Sequence, residues 1–304
     1  VQPLAITLGD PAGIGAEVVF RALKGLDIPA VVFGSRALAQ PPDGISFFDA
    51  GGSGPLRYGV IDAEYGRVAL TSIDAALDAI AHGDCSALVT APIHKQAIAL
   101  AGATVPGHTE LLAARAGLKR YGYDYAMYFD SPTIRTVLHS VHVSLREAIE
   151  LVDASSIAAL ARLTSRELER LLGKRPRIAV AGVNPHAGEG GRFGDEELTI
   201  ARGVAEARAD GIEISGPHPP DTIFLAASRG QYDVVMAMYH DQGLIPVKTL
   251  AFEQSVNVTL GLPYLRVSVD HGTAFDIAGK GIADAAPMRY AIEWAAQHAE
   301  RYTK

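Results

Sequence analysis

The stretch Pro3–Leu26, PLAITLGDPAGIGAEVVFRALKGL, sets the fold class. Pro3 to Leu8 is a β-rich apolar run, GDPAGIG is a glycine-rich turn, and Ala16 to Leu26 carries a helical pattern. A strand, a tight turn and a helix in that order form the opening of an α/β unit. The turn invites a dinucleotide-binding reading, but its spacing is not GxGxxG. Where an acid should hold a ribose about 20 residues on, only Pro29 to Ser35 stands.

The same alternation continues outward. Ala30 to Gly34 is a strand, and the Pro/Gly-rich connection from Gln40 to Gly59 is expected to carry loops and an edge strand. SIDAALDAIAHGD, from Ser72, reads as an amphipathic helix stopped by Gly83, and Ser86 to Thr90 as a buried strand delivering Ala91-Pro92-Ile93-His94-Lys95 to a helix start. Val105-Pro106-Gly107-His108-Thr109-Glu110 precedes a helix over Leu111 to Ala116, which Thr109 and Glu110 could cap. Strands follow at Tyr123 to Phe129 and Ile134 to Val141, then a helical region from SLREAIELV to about Leu172. The strand Arg177 to Gly182 runs into VNPHAGEGGRFGDEE, a glycine-rich polar loop of the kind that carries function. Strands alternating with helices throughout predict an α/β protein with mainly parallel sheets.

The densest polar chemistry lies in Met236–Gly281, MAMYHDQGLIPVKTLAFEQSVNVTLGLPYLRVSVDHGTAFDIAGKG. The buried strand over Tyr232 to Met238 ends in Tyr239-His240-Asp241-Gln242, which packing alone does not call for. Lys248, Asn257 and Arg266 each stand in apolar sequence, where a cation is costly unless an anion meets it. In HGTAFDIAGKG the glycines leave backbone open to a docking nucleotide, with Asp276 as the acidic side chain.

Composition bounds the rest. The chain has 304 residues, 48% hydrophobic and 20% charged, enough for a large core in one or two domains. A formal charge of -7 from dispersed acids, with no basic run, argues against nucleic acid as a partner. One cysteine, Cys85, excludes an intrachain disulfide framework or a cysteine-built metal cage. No apolar run is long enough to span a bilayer, and the chain opens directly on a strand, so no membrane association and a cytoplasmic location are expected. Ten histidines turn the search for a metal site toward imidazole. His142, His186 and His240 lie at or beyond strand ends, with Glu189 and Asp241 near two of them. His139, close to His142, competes with it on chemistry alone. His82, His94, His218, His271 and His298 read more simply as hydrogen-bonded or exposed side chains.

Taken together, ITLGDPAGIGAE, TAPIHK, PGHTELLA, HVSLRE, VNPHAGEGGRFGDEE, AMYHDQG and VNVTLGLPYLRVSVDHGTAFDIAGKG resemble the 4-hydroxythreonine-4-phosphate dehydrogenase family of pyridoxal phosphate (pyridoxine) biosynthesis, over nearly the whole chain and in order. The resemblance implies two α/β/α domains of isocitrate/isopropylmalate dehydrogenase type with the active site in the interdomain cleft. Residues 1–105 with 258–304 would form the cofactor side, and 106–257 the metal, substrate and dimerisation side. It implies metal ligation by His142, His186 and His240, choosing His142 over His139. Substrate binding would fall to His108, Thr109, Lys248, Asn257 and Arg266, in a homodimer whose sites draw on both chains. HGTAFDIAGKG is similar to an adenosine-binding loop, which assigns His271, Gly272, Thr273 and Asp276, with Asp284 beyond, to the cofactor. NAD is expected over NADP, because a carboxylate accepts both ribose hydroxyls and repels a 2′-phosphate. Asp241 and Asp221 are the candidate proton acceptors. Zinc, cobalt, manganese or magnesium would suit the site. The expected reaction is oxidation of 4-phosphooxy-L-threonine followed by loss of carbon dioxide, the alternative being oxidation of D-threonate or D-erythronate 4-phosphate.

Overall fold

The computed structural model describes residues 2–105 and 107–302; the expected loop residue Pro106, and the outermost residues of the expected cofactor side, lie outside the described residues. The strands are β1 (Leu4–Thr7), β2 (Ala30–Gly34), β3 (Ser46–Asp49), β4 (Ala87–Thr90), β5 (Ala126–Asp130), β6 (Arg135–Leu138), β7 (Ile178–Ala181), β8 (Ile214–His218), β9 (Val234–Ala237), β10 (Val256–Leu260) and β11 (Leu265–Ser268). The helices are α1 (Gly15–Leu23), α2 (Arg36–Ala39), α3 (Ala63–Ala81), α4 (Lys95–Leu100), α5 (His108–Arg115), α6 (Leu145–Glu150), α7 (Ala154–Leu172), α8 (Glu196–Ala209), α9 (Ile223–Ser228), α10 (His240–Ala251) and α11 (Ala286–Tyr302). None of the described helices is long and apolar enough to cross a membrane.

The chain forms two compact units, 1–115 with 263–304, and 116–262. The division falls after Arg115 and Leu262 rather than at the expected 105/106 and 257/258. Helix α5 therefore stays with the first unit, where Arg115 makes a two-pronged ion pair with Asp74 of α3, and β10 stays with the second, paired antiparallel to β5.

In the first unit the strands run parallel in the order β3-β2-β1-β4-β11. The chain moves one way from β1 through α1 to β2 and β3, then crosses back through α3 to β4. Right-handed crossovers put α1 and α3 on opposite faces of the sheet. The direction of winding reverses between β1 and β4, and a crevice opens at the carboxyl ends of strands at such a point. GDPAGIG follows β1 there and APIHK follows β4. Gly9, at φ 69°, lets the two turns touch, since a β-carbon on it would run into the Pro92 carbonyl, and Asp10 N–H donates to that carbonyl at 3.0 Å.

Two helix boundaries differ from expectation. Helix α3 begins at Ala63, well before Ser72, capped by Asp62, whose Oδ1 accepts from Glu64 N–H at 2.8 Å. Gly66 weakens its helical signal in sequence, yet in the fold it admits close packing, because a β-carbon there would meet the Ala97 backbone of α4. The helical region to Leu172 is two helices, interrupted where Asp153 caps α7 through Ser156 N–H at 3.0 Å.

The second unit has the order β10-β5-β6-β9-β7-β8, antiparallel at β10–β5 and β5–β6 and parallel from β6 onward. Its core lies around Phe129, Leu138, Ala181, Val235, Leu244 and Val247. Strand β9 enters between β6 and β7 and pairs with both. Three adjacent parallel strands thus end at one edge, roughly 4.8 Å apart, and the loops that follow them carry His142, His240 and His186.

Candidate active site

At that edge the His142 and His240 rings lie side by side, with centroids 5.8 Å apart. A concavity of about 210 Å³ opens beside them, lined by Val141, Val143, Leu145 and Tyr239 among others. His240 is the first residue of α10, and its Nδ1 is 2.7 Å from Asp241 Oδ1. With Nδ1 carrying the proton toward that carboxylate, Nε2 presents its lone pair outward, the arrangement of a metal-binding histidine oriented by a carboxylate. That contact gives Asp241, an expected proton acceptor, an orienting part as well. Asp221 is exposed ahead of α9.

His139 separates from His142 in space. It is buried, its Nε2 lies 2.8 Å from Ser156 Oγ, and burial lowers its pKa to about 4 against a smaller opposite pull from Asp153. It is a neutral core histidine. His186 is exposed on the loop after β7, its ring 6.4 Å from that of Phe193. The backbone from His186 through Gly190 is left-handed throughout, a conformation costing roughly 1–2 kcal/mol per non-glycine residue. Among the described residues no three histidine, cysteine or acidic side chains lie close enough together to hold a metal. The expected trio is therefore assembled only as the pair His142 and His240 within one chain.

Three buried side chains fix these loops; the sequence places Gln242 and Glu197 within polar stretches without showing what they hold, and does not mark Ser140. Gln242 Oε1 accepts from Met238 N–H at 2.7 Å and its Nε2 donates to the Gly182 carbonyl at 2.7 Å, tying the end of β9 to the end of β7. Ser140 Oγ donates to the Met238 carbonyl at 2.9 Å, tying the His142 loop to the same point. Glu197 Oε1 accepts from the N–H groups of Val183 and Asn184, and its Oε2 from Asn184 Nδ2, bracing the loop that carries His186. Lys248 is half-buried in the last turn of α10, where the helix dipole favours a cation. Asn257 on β10 is buried, with an amide oxygen that has no hydrogen-bond partner among the described residues.

The first unit gathers the other predicted residues. Arg266 is 2% exposed on β11 and donates from Nη2 to Thr90 Oγ1 at 2.9 Å. Burial lowers its pKa to about 10, opposed by Tyr264 and Glu110, so it remains a cation at neutral pH. His108 begins α5 with Nε2 closed off from solvent and without a partner among the described residues. Burial first, and then the Arg266 charge, hold its pKa well below the ordinary histidine value, so its ring is neutral. Thr109 beside it is buried.

HGTAFDIAGKG docks on the two turns at the switch point. The Thr273 carbonyl accepts from Ile14 N–H at 3.1 Å, and Phe275 stacks on His94 with centroids 4.8 Å apart. Asp276 and Gly272 are exposed on this loop, and His271 is half-buried. Asp284, also expected on the cofactor side, accepts from Ala286 N–H at 2.9 Å through Oδ1 ahead of α11. Asp10, absent from the expected set, is 1% exposed; one oxygen accepts from Ala12 N–H, the other has no partner among the described residues, and burial raises its pKa. An acid inside a turn of apolar and small residues was the available signal.

Comparison with known proteins identifies the family. Residues 6–295 match the family of pyridoxal phosphate biosynthetic protein PdxA. The chain is 42% identical to 4-hydroxythreonine-4-phosphate dehydrogenase of Beijerinckia indica, over 97% of this chain and 94% of that one. It is 41% identical to D-threonate 4-phosphate dehydrogenase of Salmonella typhimurium, over 97% and 98%. A crystal structure of 4-hydroxythreonine-4-phosphate dehydrogenase from Klebsiella pneumoniae superposes with a TM-score of 0.90 at 40% identity, covering 98% of this chain and all of that one. With a family match across nearly all its length and relatives above 40% identity end to end, this chain belongs to the PdxA family of pyridoxal phosphate biosynthetic proteins.

Proposed function

We propose that this oxidoreductase oxidises the 3-hydroxyl of 4-phosphooxy-L-threonine with NAD, giving 2-amino-3-oxo-4-phosphooxybutanoate, which loses carbon dioxide to give 3-amino-2-oxopropyl phosphate. The observation that carries the chemistry is the paired His142 and His240, with Asp241 on the far nitrogen of His240. Imidazoles so oriented fit a divalent ion, and His142, His240 and His186 would hold it. When bound, such an ion supplies Lewis acidity that acidifies the substrate hydroxyl and stabilises negative charge on the oxygen formed. Asp241 keeps the proton on Nδ1 of His240. Asp221 is the proposed acceptor of the hydroxyl proton, while the hydride leaves C3 for the nicotinamide.

Arg266 and Lys248 bind the anionic end of the substrate, with Thr109 and Asn257 as hydrogen-bonding partners and neutral His108 adding a donor without a second buried charge. His271, Gly272, Thr273 and Asp276 seat the adenosine end of NAD, where the Asp276 carboxylate accepts from the ribose hydroxyls. Exposed large apolar side chains are concentrated on the second unit, among them Leu145, Leu151, Leu198, Ile245, Leu250 and Phe252. A homodimer that covers such a surface, with metal ligands drawn from both copies, fits this distribution.

The test is a substrate panel with NAD reduction as readout: 4-phosphooxy-L-threonine against D-threonate and D-erythronate 4-phosphates, each before and after chelation and after zinc, cobalt, manganese or magnesium is added back. We expect 4-phosphooxy-L-threonine to lead, and activity to vanish with the metal and return with it. A preference above about tenfold, or ~1.4 kcal/mol, for a sugar acid moves the assignment to the D-threonate type of relative. Turnover that survives complete metal removal overturns the mechanism.

A further inference from the structure

One face of the first unit's sheet is polar where packed helices normally require apolar side chains. Ser268 of β11 lies opposite Thr90 of β4, and Thr90 lies opposite Thr7 of β1. Side chains alternate along a strand, so Arg266 shares the face of Ser268 and Thr90, as its hydrogen bond to Thr90 Oγ1 requires. Tyr264, immediately before β11, continues the same alternation on that face. Its ring is half-buried, while its hydroxyl is closed off from solvent and has no hydrogen-bond partner among the described residues. An unpartnered buried hydroxyl destabilises a protein unless something outside the chain completes it.

We propose that the Tyr264 hydroxyl is a further substrate-binding group, donating a hydrogen bond to a phosphate oxygen of the substrate alongside Arg266. The assignment rests on the proposed function, in which the substrate carries a phosphate. The groups around it select this ligand chemistry. Arg266 supplies a positive charge and neutral His108 lies within its field. Burial raises the phenol pKa to about 12, with Arg266 pulling the other way. The hydroxyl is therefore protonated across the working pH range and donates to an anion without adding charge. A phosphate has three terminal oxygens to distribute, so a guanidinium and a phenol can serve it together.

The test compares wild type with Tyr264→Phe, using inorganic phosphate as the probe in calorimetric titration and as an inhibitor competing with substrate. Phosphate binding should weaken by about tenfold to a hundredfold, the range expected for one hydrogen bond to a charged group. Substrate KM should rise more than kcat falls, and the midpoint of thermal unfolding should hold or increase, because the variant removes an unpartnered hydroxyl. Binding of phosphate-free 4-hydroxy-L-threonine should be unchanged. Phosphate affinity within twofold of wild type, equal weakening toward the phosphate-free compound, or no phosphate binding by wild type would each overturn the assignment. A wild type that fails to oxidise 4-phosphooxy-L-threonine, yet binds phosphate through Tyr264, sinks the proposed activity and leaves the assignment standing.

Discussion

Replacing Gln242 by leucine tests how the histidine loops are held. The side chain is 7% exposed and makes two buried hydrogen bonds of 2.7 Å, one to Met238 N–H and one from its own amide to the Gly182 carbonyl. Gln242→Leu has similar bulk, so the change strands one donor and one acceptor without opening a large cavity. Each stranded group costs about 1–3 kcal/mol, and the added apolar burial offsets part of it, leaving a net loss of about 2–4 kcal/mol. In a domain of this size 3 kcal/mol lowers the unfolding midpoint by roughly 6–12 °C. Urea unfolding at constant pH measures the loss directly. Gln242→Glu, which keeps the acceptor for Met238 N–H but cannot donate to Gly182 when ionised, should be destabilised as well. Zinc or cobalt titrations on the same proteins give the second readout, with weaker binding expected once the ends of β7 and β9 are no longer tied. A Gln242→Leu protein within about 0.5 kcal/mol of wild type, the usual scatter of neutral substitutions, would refute the account of the tie.

Two further outcomes follow from buried groups. Arg266→Met removes a cation that burial makes costly, so stability should change by less than about 2 kcal/mol, while substrate binding should weaken by about 2–5 kcal/mol; steady-state kinetics and thermal unfolding on the same preparation check both, and unchanged KM refutes the anion-binding role. Burial lowers the His139 pKa to about 4 in the folded chain against 6.5 when unfolded, so the unfolded state gains its proton first as pH falls: no stability is lost at pH 7, the loss grows between 6.5 and 4, and it reaches about 2 kcal/mol at pH 5. His139→Gln should flatten the acid limb of the stability profile by that amount, and an identical slope in both proteins refutes the assignment.

The alternation that sets the fold was legible because a buried parallel strand and an amphipathic helix leave different periods in sequence. The placement of His142, His186 and His240 after strands was legible for the same reason, but their mutual distances were not. Adjacency of β6, β9 and β7 is a matter of topology, and spacing along the chain carries no record of it. Gln242 was legible as part of a polar strand end but not as a tie between strands, because that role depends on a carbonyl sixty positions away. Asp284 and Asp241 show the opposite limit: the local contacts that one makes with a helix start and the other with a histidine are not legible from an acid's place near a candidate site. At Gly66 a residue that weakens a helix locally lets the Ala97 backbone approach, a contact that local sequence does not record.

The insertion of β9 between β6 and β7 bears on how the protein is made. A nascent chain that has emerged through the loop after β7 holds two of the three histidine loops, yet their strands have no direct pairing and wait for β9, still to be made. The edge that carries the histidine loops thus comes into being in one late step, when β9 slots in and brings His240 with it. Until then the loops after β6 and β7 share no paired edge.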